Sequence, residues 1–345
     1  MNLPGAADRQ WAGTGVDRRA AVAYGVALTA AVLMAPRISL AQPAERVRRI
    51  GWLRVSGAPG VRTTLSEALR ELGWIEGRNL AVEVRHAEGQ REQAPALAKE
   101  LVGVHVELVV AEAPTAIRAA MQATTEVPIV MAWWGGPDLV TSGVIASYGR
   151  PGGNVTGVDM LLSALDAKRL DVLRQAVPNA TKIAVLIHDR QAFEPQMPAV
   201  REVARKAGLS LEIFDTLGSS SSSYNEVLEA VARSQCQALL VMSSPLFGRD
   251  SRLIVEAAAR ARVSAIYAPA LNANQGALIT YGTTPRELDR QVARQIDRIL
   301  RGAKPGEVPV EQPSRYQLVI NLATARALGL VIPQALLLQA DQVIE

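Results

Sequence analysis

The chain has 345 residues, of which 49% are hydrophobic and 20% are charged, and its formal net charge is +4. This composition is typical of a globular protein with room for two domains, and it excludes a disordered or collagen-like chain. Beyond residue 41 the chain holds 33 basic and 31 acidic residues, a balance that gives no basic face for nucleic acid.

The first 41 residues have the three parts of an export signal. Arg18 and Arg19 precede an apolar run at 20–35, and the tripeptide at 39–41 is a small-residue cleavage site. The run is shorter than the roughly 20 residues of a membrane-spanning helix, which favours a cleaved signal over a retained anchor. We therefore expect residues 1–41 to be a signal peptide, used by the Sec or twin-arginine route, and the mature protein to be periplasmic.

The next part of the chain alternates between strand and helix patterns. Apolar or alternating runs predict four strands, and apolar residues at helical spacing predict the helices between them. The strands are predicted at 49–56, 79–87, 106–111 and 128–134, and the helices at 64–72, 92–103 and 115–123. This order is typical of a parallel sheet with helices on both faces.

The stretch GRPGGNVTGVD at 149–159 then breaks the pattern. Its glycines and asparagine give the backbone freedom, and Pro151 stops any preceding element from continuing. Neither G-x-x-x-x-G-K-[ST] nor G-x-G-x-x-G follows a strand anywhere in the chain, so the stretch is not a phosphate-binding loop of those kinds. We interpret it as a crossover between two lobes.

The same alternation restarts after this crossover. Strands are predicted at 182–189, 209–216, 236–244, 264–270, 277–282 and 316–323, with helices at 164–177, before 208, after the serine run at 219–223, and at 250–262 and 285–301. The closing segment from 324 onwards reads as helical, with a break at Pro333. The predicted fold class is therefore α/β, with two doubly wound parallel-sheet lobes and a ligand cleft between them.

Ligands of doubly wound sheets bind beyond the carboxyl ends of the strands, which selects the candidate site residues. The loop at 113–115 also has free helix N-terminal amides that suit a carboxylate, although Thr115 could equally be an ordinary N-cap. The candidate ligand-binding residues are Ser56, Ala113, Pro114, Thr115, Trp133, Trp134, Gly135, Asp159, Asp189, Ser244 and Tyr267.

The adjacent tryptophans are informative because aromatic residues make up only 4% of the chain. Neighbouring residues of a strand point to opposite faces, so at most one of the two rings can face a given cleft. We expect Trp134 to line the cleft, because it is nearer the end of the strand and precedes a pair of glycines. Packing of both rings in the core is the alternative.

Motifs of catalysis and metal binding are missing from the sequence. There is no G-x-S-x-G elbow and no H-E-x-x-H, the three histidines are scattered, and Cys236 lies in an apolar context. We expect no catalysis, no metal and no cofactor. The alternative is a cleft enzyme that uses Asp159 or Asp189 as a general base.

Five stretches in the same order carry a family resemblance. They are LRELGWIEGRNLAVEVRHAEG (69–89), RPGGNVTGVD (150–159), KRLDVLRQAVPNATKIAVL (168–186), RGAKPGEVPVEQPSRYQLVINLATARALGL (301–330) and the closing ADQVIE. The chain resembles the exported substrate-binding proteins of ABC transporters, the group that includes tryptophan- and tyrosine-type binding components. The resemblance implies the type I periplasmic binding fold, with two lobes, three crossovers and a ligand between them.

The resemblance also implies the partners and the lobe limits. The partners are a small solute and the permease and ATPase subunits of a transporter, and we expect a monomer. We assign 42–157 with 276–312 to lobe 1, and 158–275 with 313–345 to lobe 2. From the carboxylate-friendly loop at 113–115 and the tryptophan pair, we expect the solute to be an apolar or aromatic amino-acid-like molecule. A receptor that feeds a sensor is the alternative use.

One turn departs from the family pattern. Members commonly carry Gly-Asp-Pro after the fourth strand, whereas this chain has Gly135-Gly136-Pro137 with the acidic residue one place later, at Asp138. An acidic side chain has moved, so the solute preference of relatives does not carry over.

Overall fold

The structure is a computed structural model that describes residues 46–55, 61–216, 221–268 and 275–345. The predicted signal peptide and the candidate Ser56 lie outside the described residues. Across the described ranges, no helix combines the length and apolar character that crossing a membrane requires.

The first sheet has five parallel strands in the order β2-β1-β3-β4-β5. They are β1 (Arg48–Arg54), β2 (Leu80–His86), β3 (Leu108–Glu112), β4 (Ile129–Trp134) and β5 (Val155–Asp159). The helices of this part of the chain are α1 (Thr63–Glu71), α2 (Ala94–Gly103) and α3 (Ala113–Ala123). Apolar residues of α2 and α3 cover one face of the sheet, and those of α1 cover the other, as the helical spacing predicts.

β5 lies in the stretch that we interpreted as a crossover, so that interpretation is wrong for residues 155–159. The strand contains Gly157, whose φ of +135° is a backbone conformation that favours glycine. A Cβ atom at this position would lie against the Met131 backbone, 2.5 Å from its nitrogen. The glycine that reads as a loop signal is therefore what lets β5 approach β4.

The second sheet has seven strands in the order β12-β11-β10-β9-β8-β6-β7, and only the pairing of β10 with β11 is antiparallel. The strands are β6 (Lys182–Ile187), β7 (Ser210–Asp215), β8 (Ala238–Val241), β9 (Ala265–Tyr267), β10 (Ile279–Gly282), β11 (Gln317–Asn321) and β12 (Gln342–Ile344). The central strands are apolar throughout because helices cover both of their faces.

The helices of the second half divide between the two faces of this sheet. Those on one face include α4 (Leu162–Ala176), α6 (Met197–Lys206), α11 (Leu322–Leu328) and α12 (Gln334–Leu337), and those on the other include α7 (Ser221–Arg233), α8 (Pro245–Arg249) and α9 (Ser251–Arg260). A single short turn, α5 (Arg190–Phe193), follows β6. The fold class predicted from the sequence, two α/β lobes, is confirmed.

The closing segment is only partly helical, which corrects the prediction made for it. After α12 the chain forms β12, which pairs in parallel with β11 at the edge of the second sheet. Asp341 fixes the entry to this strand, because its carboxylate accepts a hydrogen bond from the Leu318 amide at 2.8 Å.

The helix α10 (Pro285–Leu300) packs on the first sheet, although β10 immediately before it is an inner strand of the second. Thr284 caps the helix by accepting a hydrogen bond from the Glu287 amide at 3.2 Å, the spacing of a capping box. The second crossover therefore lies at 283–284 rather than near 275. The strand β10 belongs to the second lobe, although we predicted it in the first.

The other two crossovers run side by side. At the end of β5 the Asp159 amide donates to the Glu311 carbonyl, and the Glu311 amide donates to the Gly157 carbonyl, each at 2.9 Å. The first sheet therefore keeps the chain up to 159, two residues beyond the predicted limit at 157.

Candidate functional site

A cavity of about 320 Å³ lies between the carboxyl ends of the two sheets. The first lobe contributes Val55, Gly89, Arg91, Ala113, Pro114, Thr115, Trp133, Gly135, Gly136 and Pro137, and the second contributes Leu162, His188, Phe193, Pro195, Gln196, Ser243, Ser244 and Leu246. Strand ends converge here because parallel strands finish at one edge of each sheet, as the sequence predicts.

The β3–α3 corner forms one wall of the cavity. Ala113 has a φ of +69°, a conformation rare for a residue with a side chain and common at ligand-holding turns. Glu112 takes the N-cap position of α3, so Thr115 is not the N-cap that the sequence offered as an alternative. The first-turn amides of α3 lack intrahelical acceptors and bring partial positive charge to this corner.

The carboxylate of Glu112 does not face the cavity as a free anion. It accepts a hydrogen bond from Arg54 Nε at 2.9 Å and pairs with the Arg62 guanidinium, which also binds Asp289 on α10. This buried network joins α1, β1, β3 and α10, and it neutralises the acid that directly precedes the cavity wall.

A bulge in β4 decides which tryptophan reaches the cavity. Ala111 of β3 pairs with Met131, but the next residue, Glu112, pairs with Trp133, so β4 gains one residue at this point. The extra residue reverses the alternation of side chains along the strand. Trp133 is partly buried at the cavity, and Trp134 shares the core face of Met131.

Trp134 is a core residue, which corrects the expectation that it lines the cleft. Its side chain has 0% exposure, and its indole N–H donates to the Pro137 carbonyl at 2.6 Å. The Arg118 guanidinium lies 5.5 Å from its ring centre. Gly136 leaves room for this ring, because a Cβ atom there would come within 2.8 Å of it.

His188, directly after β6, has one ring nitrogen paired with Ser244 and one without a partner in the described chain. Its Nδ1 lies 3.1 Å from Ser244 Oγ, and that hydroxyl already accepts the Leu246 amide proton at 3.2 Å. The hydroxyl has one donor and two acceptor sites, so this contact is compatible with either tautomer of the imidazole. Nε2 is buried and has no hydrogen-bond partner among the described residues.

The imidazole of His188 is held in its neutral form by its surroundings. Burial lowers its pKa below the ordinary value, and the positive charge of Arg91 lowers it further, against the weaker opposing charges of Asp189 and Asp215. The Phe193 ring packs edge-on at 5.0 Å between ring centres. These surroundings therefore favour the neutral imidazole over the imidazolium.

Gln196 links the two lobes at the cavity. Its amide nitrogen lies 3.5 Å from the Gly135 carbonyl of the first lobe, a long hydrogen bond. The residue is only 7% exposed, and its Oε1 is buried without a partner among the described residues. Gln196 Oε1 and His188 Nε2 are therefore two buried polar atoms beside the cavity without a partner in the described chain.

A buried ion pair supports the second-lobe wall. Asp166 and Arg169 of α4 are 0% and 1% exposed and bind each other. Arg169 also donates to the Tyr281 carbonyl at 2.7 Å and to Ser243 Oγ at 2.5 Å. Ser243 lines the cavity, so this pair fixes the strand end that carries Ser243 and Ser244.

The other predicted site residues are placed as follows. Ala113, Pro114, Thr115, Trp133, Gly135 and Ser244 line the cavity. Asp159 instead accepts hydrogen bonds from the Tyr148 hydroxyl at 2.6 Å and the Leu161 amide at 3.1 Å. Tyr267 is buried in the core of the second lobe, and Asp189 is not among the lining residues. These last three placements differ from the prediction.

Several lining residues were not in the predicted set. His188 and Ser243 stand at strand ends that the sequence identified, so strand position was the available signal. Arg91 follows β2, while Phe193 and Gln196 lie in or after the short turn α5. Irregular connections have no periodicity, so no sequence signal identified these three residues.

Charge is distributed unevenly around the cavity. Arg91 is the one lining side chain with a permanent charge, and no Asp or Glu is among the lining residues of the described chain. Within the described ranges, no cluster of three or more His, Cys, Asp or Glu side chains could hold a metal ion. The site is thus mainly apolar and aromatic, with one cation and a few polar residues.

Comparison with known proteins identifies the family. Residues 57–344 match the sequence profile described as "ABC transporter substrate binding protein". The chain belongs to this family. The family, the tyrosine-binding protein and the L-Trp complex described below are solute-binding proteins rather than enzymes, in agreement with the sequence-based expectation.

Two solved structures and one curated protein are similar to this family member. A tyrosine-binding protein of Clostridioides difficile (strain R20291) is 24% identical over 265 residues, which cover 76% of this chain and 75% of that protein. The Streptococcus pneumoniae ABC domain in complex with L-Trp has a TM-score of 0.75 at 24% identity, over 86% of this chain and 100% of that one. A conserved domain protein of Vibrio cholerae has a TM-score of 0.74 at the same identity and coverage.

Proposed function

We propose that this protein is the solute receptor of an ABC transporter that encloses an apolar or aromatic, amino-acid-like molecule between its lobes and delivers it to a permease. The observation that carries the proposal is the cavity at the meeting edges of the two sheets. Its walls are mainly aliphatic and aromatic, with a few polar residues among them, as in sites that bind one small molecule.

The aromatic part of the proposal rests on Trp133 and Phe193, which face the cavity from different lobes. Aromatic lining residues suit a flat ligand group. Two similar proteins support an aromatic solute, since one is named a tyrosine-binding protein and the other is in complex with L-Trp.

Contacts from both lobes would couple binding to closure. A ligand that touches Trp133 in one lobe and His188 in the other favours the arrangement in which both are in reach. The three crossovers at 160–161, 283–284 and 312–316 would absorb the change in backbone angles. The paired strands at Asp159 and Glu311 place two of these hinges side by side.

The proposed setting follows from the family. The receptor acts as a monomer in the periplasm, with the permease and ATPase subunits as its partners, after removal of residues 1–41. Protein recovered from the periplasm should begin at Gln42 or within a few residues of it, as N-terminal sequencing would show.

The test of solute binding is to identify what the protein retains. Mass spectrometry of material released from the purified protein should find one apolar or aromatic small molecule. Added back at about 100 times its dissociation constant, that molecule should stabilise the fold by roughly 2.7 kcal/mol. Recovery of the molecule in chemically altered form after incubation would contradict a receptor.

The test of delivery uses the same molecule in labelled form. Cells that lack the gene should lose its uptake, and the wild-type gene should restore uptake better than a Trp133→Ala variant. Unchanged uptake in cells without the gene would contradict the transport role.

A further inference from the structure

We infer that Gly135 is a positioning residue: its lack of a side chain lets the second lobe pack against the end of β4, and this contact sets the distance between the two walls of the cavity. The inference rests on the proposed function and concerns how the solute is enclosed. Its basis is that Leu162 of the second lobe occupies the space that a side chain at position 135 would need. Such a side chain should weaken solute binding through the arrangement of the lobes, without contacting the solute.

The contact between Gly135 and Leu162 leaves no room for a methyl group. A Cβ atom on Gly135 would overlap Cδ1 of Leu162 and would lie 3.1 Å from its Cγ. Rotation of the leucine tip could relieve the first overlap, but Cγ moves only if the side chain changes rotamer or its helix moves. The same Cβ atom would lie 3.4 Å from the Trp133 ring, an ordinary contact distance. The obstacle to a side chain at position 135 is therefore Leu162.

A second residue of the second lobe reaches the same position. The side-chain amide nitrogen of Gln196 lies 3.5 Å from the Gly135 carbonyl oxygen. Leu162 is the first residue of α4 and Gln196 follows α5, so two separate segments of the second lobe meet the first lobe at one residue. All three residues line the cavity. Gly135 thus belongs both to the cavity wall and to the boundary between the lobes.

The first crossover brings Leu162 to this place. The Met160 amide donates to the Trp134 carbonyl at 2.9 Å, so the chain is still held to the end of β4 two residues before Leu162. Leu161 has a φ of +49°, a left-handed conformation that is uncommon for a residue with a side chain, and α4 begins at the next residue. Because so little chain separates β4 from the helix, the contact with Gly135 determines where α4 starts.

The helix α4 connects this contact to the opposite wall of the cavity. Asp166 and Arg169 lie four and seven residues after Leu162, on the same side of the helix. Asp166 accepts a hydrogen bond from the Ser243 hydroxyl at 3.1 Å, and Arg169 donates to the Tyr281 carbonyl at 2.7 Å. Ser243 lines the cavity. A side chain that pushed α4 away from β4 would therefore move the second-lobe wall with it.

A double-mutant cycle tests the inference. The variants are Gly135→Ala, Leu162→Ala and the two together, and the matched control is Gly149→Ala, because a Cβ atom there has nothing within 4 Å. Each protein is freed of retained solute by unfolding, dialysis and refolding. Small-angle X-ray scattering then measures the arrangement of the lobes without any ligand. Calorimetric titration with L-tryptophan measures binding, and urea unfolding checks that each variant is folded.

We expect Gly135→Ala to have a larger radius of gyration than the wild type and to bind L-tryptophan about tenfold or more weakly. Its urea midpoint should stay close to that of Gly149→Ala. In the Leu162→Ala background the same glycine replacement should change neither the radius of gyration nor the affinity, because the side chain that the methyl group meets is gone. Gly149→Ala should match the wild type in both measurements.

The outcomes separate this inference from the proposed function. Unchanged scattering of Gly135→Ala overturns the inference, since Leu162 then gives way alone. A loss of affinity that persists in the Leu162→Ala background also overturns it, since the methyl group then contacts the solute itself. Both results leave the receptor intact. If the wild type does not bind L-tryptophan, that result counts against the aromatic amino-acid-like solute, and the scattering comparison alone decides the role of Gly135.

Discussion

Replacing Trp134 with alanine should destabilise the fold without directly removing a ligand contact. The ring has 0% exposure and shares a core with Met131, Ile117 and Leu139. Trp134→Ala removes the buried ring and leaves a cavity, a change that costs about 3–5 kcal/mol of unfolding free energy in packed cores.

A second substitution separates packing from hydrogen bonding. Trp134→Phe keeps most of the buried ring but removes the N–H that donates to the Pro137 carbonyl. Pro137 is exposed, so water can replace the lost donor, and a hydrogen bond of this kind contributes about 0.5–1.5 kcal/mol. This variant should therefore fall between the wild type and Trp134→Ala.

The matched control is the neighbouring Trp133→Ala. Since Trp133 is partly buried and lines the cavity, its loss should weaken binding of the retained solute by about 2 kcal/mol, or roughly 30-fold. Urea unfolding measures the stability of the three variants, and calorimetric titration measures their affinity. If Trp134→Ala unfolds within about 1 kcal/mol of the wild type, the assignment of Trp134 to the core is refuted.

Three further outcomes follow from single sites. Gly157→Ala should lower the free energy of unfolding by about 3 kcal/mol in urea, whereas Gly153→Ala, with open space around it, should stay within about 0.5 kcal/mol. Arg169→Met should cost about 3–5 kcal/mol by stranding Asp166, and adding Asp166→Leu should recover most of the loss; no recovery would argue against a stranded charge. Burial holds the pKa of His188 below its ordinary value, so as the pH falls the unfolded chain takes up this proton before the folded one does. The free energy of unfolding should therefore decline below about pH 6.5, and His188→Gln should make the decline shallower in melts between pH 5 and 8.

The regular part of the fold could be predicted because its strands are apolar and its helices are amphipathic. The strands β5 and β12 could not be predicted in this way. Glycine is typical of loops, yet β5 needs Gly157 in order to pack closely against β4. The strand β12 has only three residues, lies at a sheet edge and has mostly exposed side chains. Both exceptions depend on neighbours that are distant in sequence.

The site divides in a similar way. Strand-end residues such as Thr115 and Ser244 could be predicted, because parallel strands finish at one edge of a sheet. The choice between Trp133 and Trp134 depended on a one-residue bulge that no sequence pattern marked. Arg91 and Gln196 come from irregular connections, where residue type alone does not indicate position.

The placement of α10 has a consequence for synthesis and export. The first sheet is complete at Asp159, yet one of its faces is covered in part by Val292, Ile296 and Ile299, which the ribosome adds more than a hundred residues later. Until then that face presents an apolar surface of the kind that promotes aggregation. A fragment that ends after β5 should therefore be insoluble alone. We expect the nascent chain to stay unfolded and chaperone-bound until nearly all of it is made.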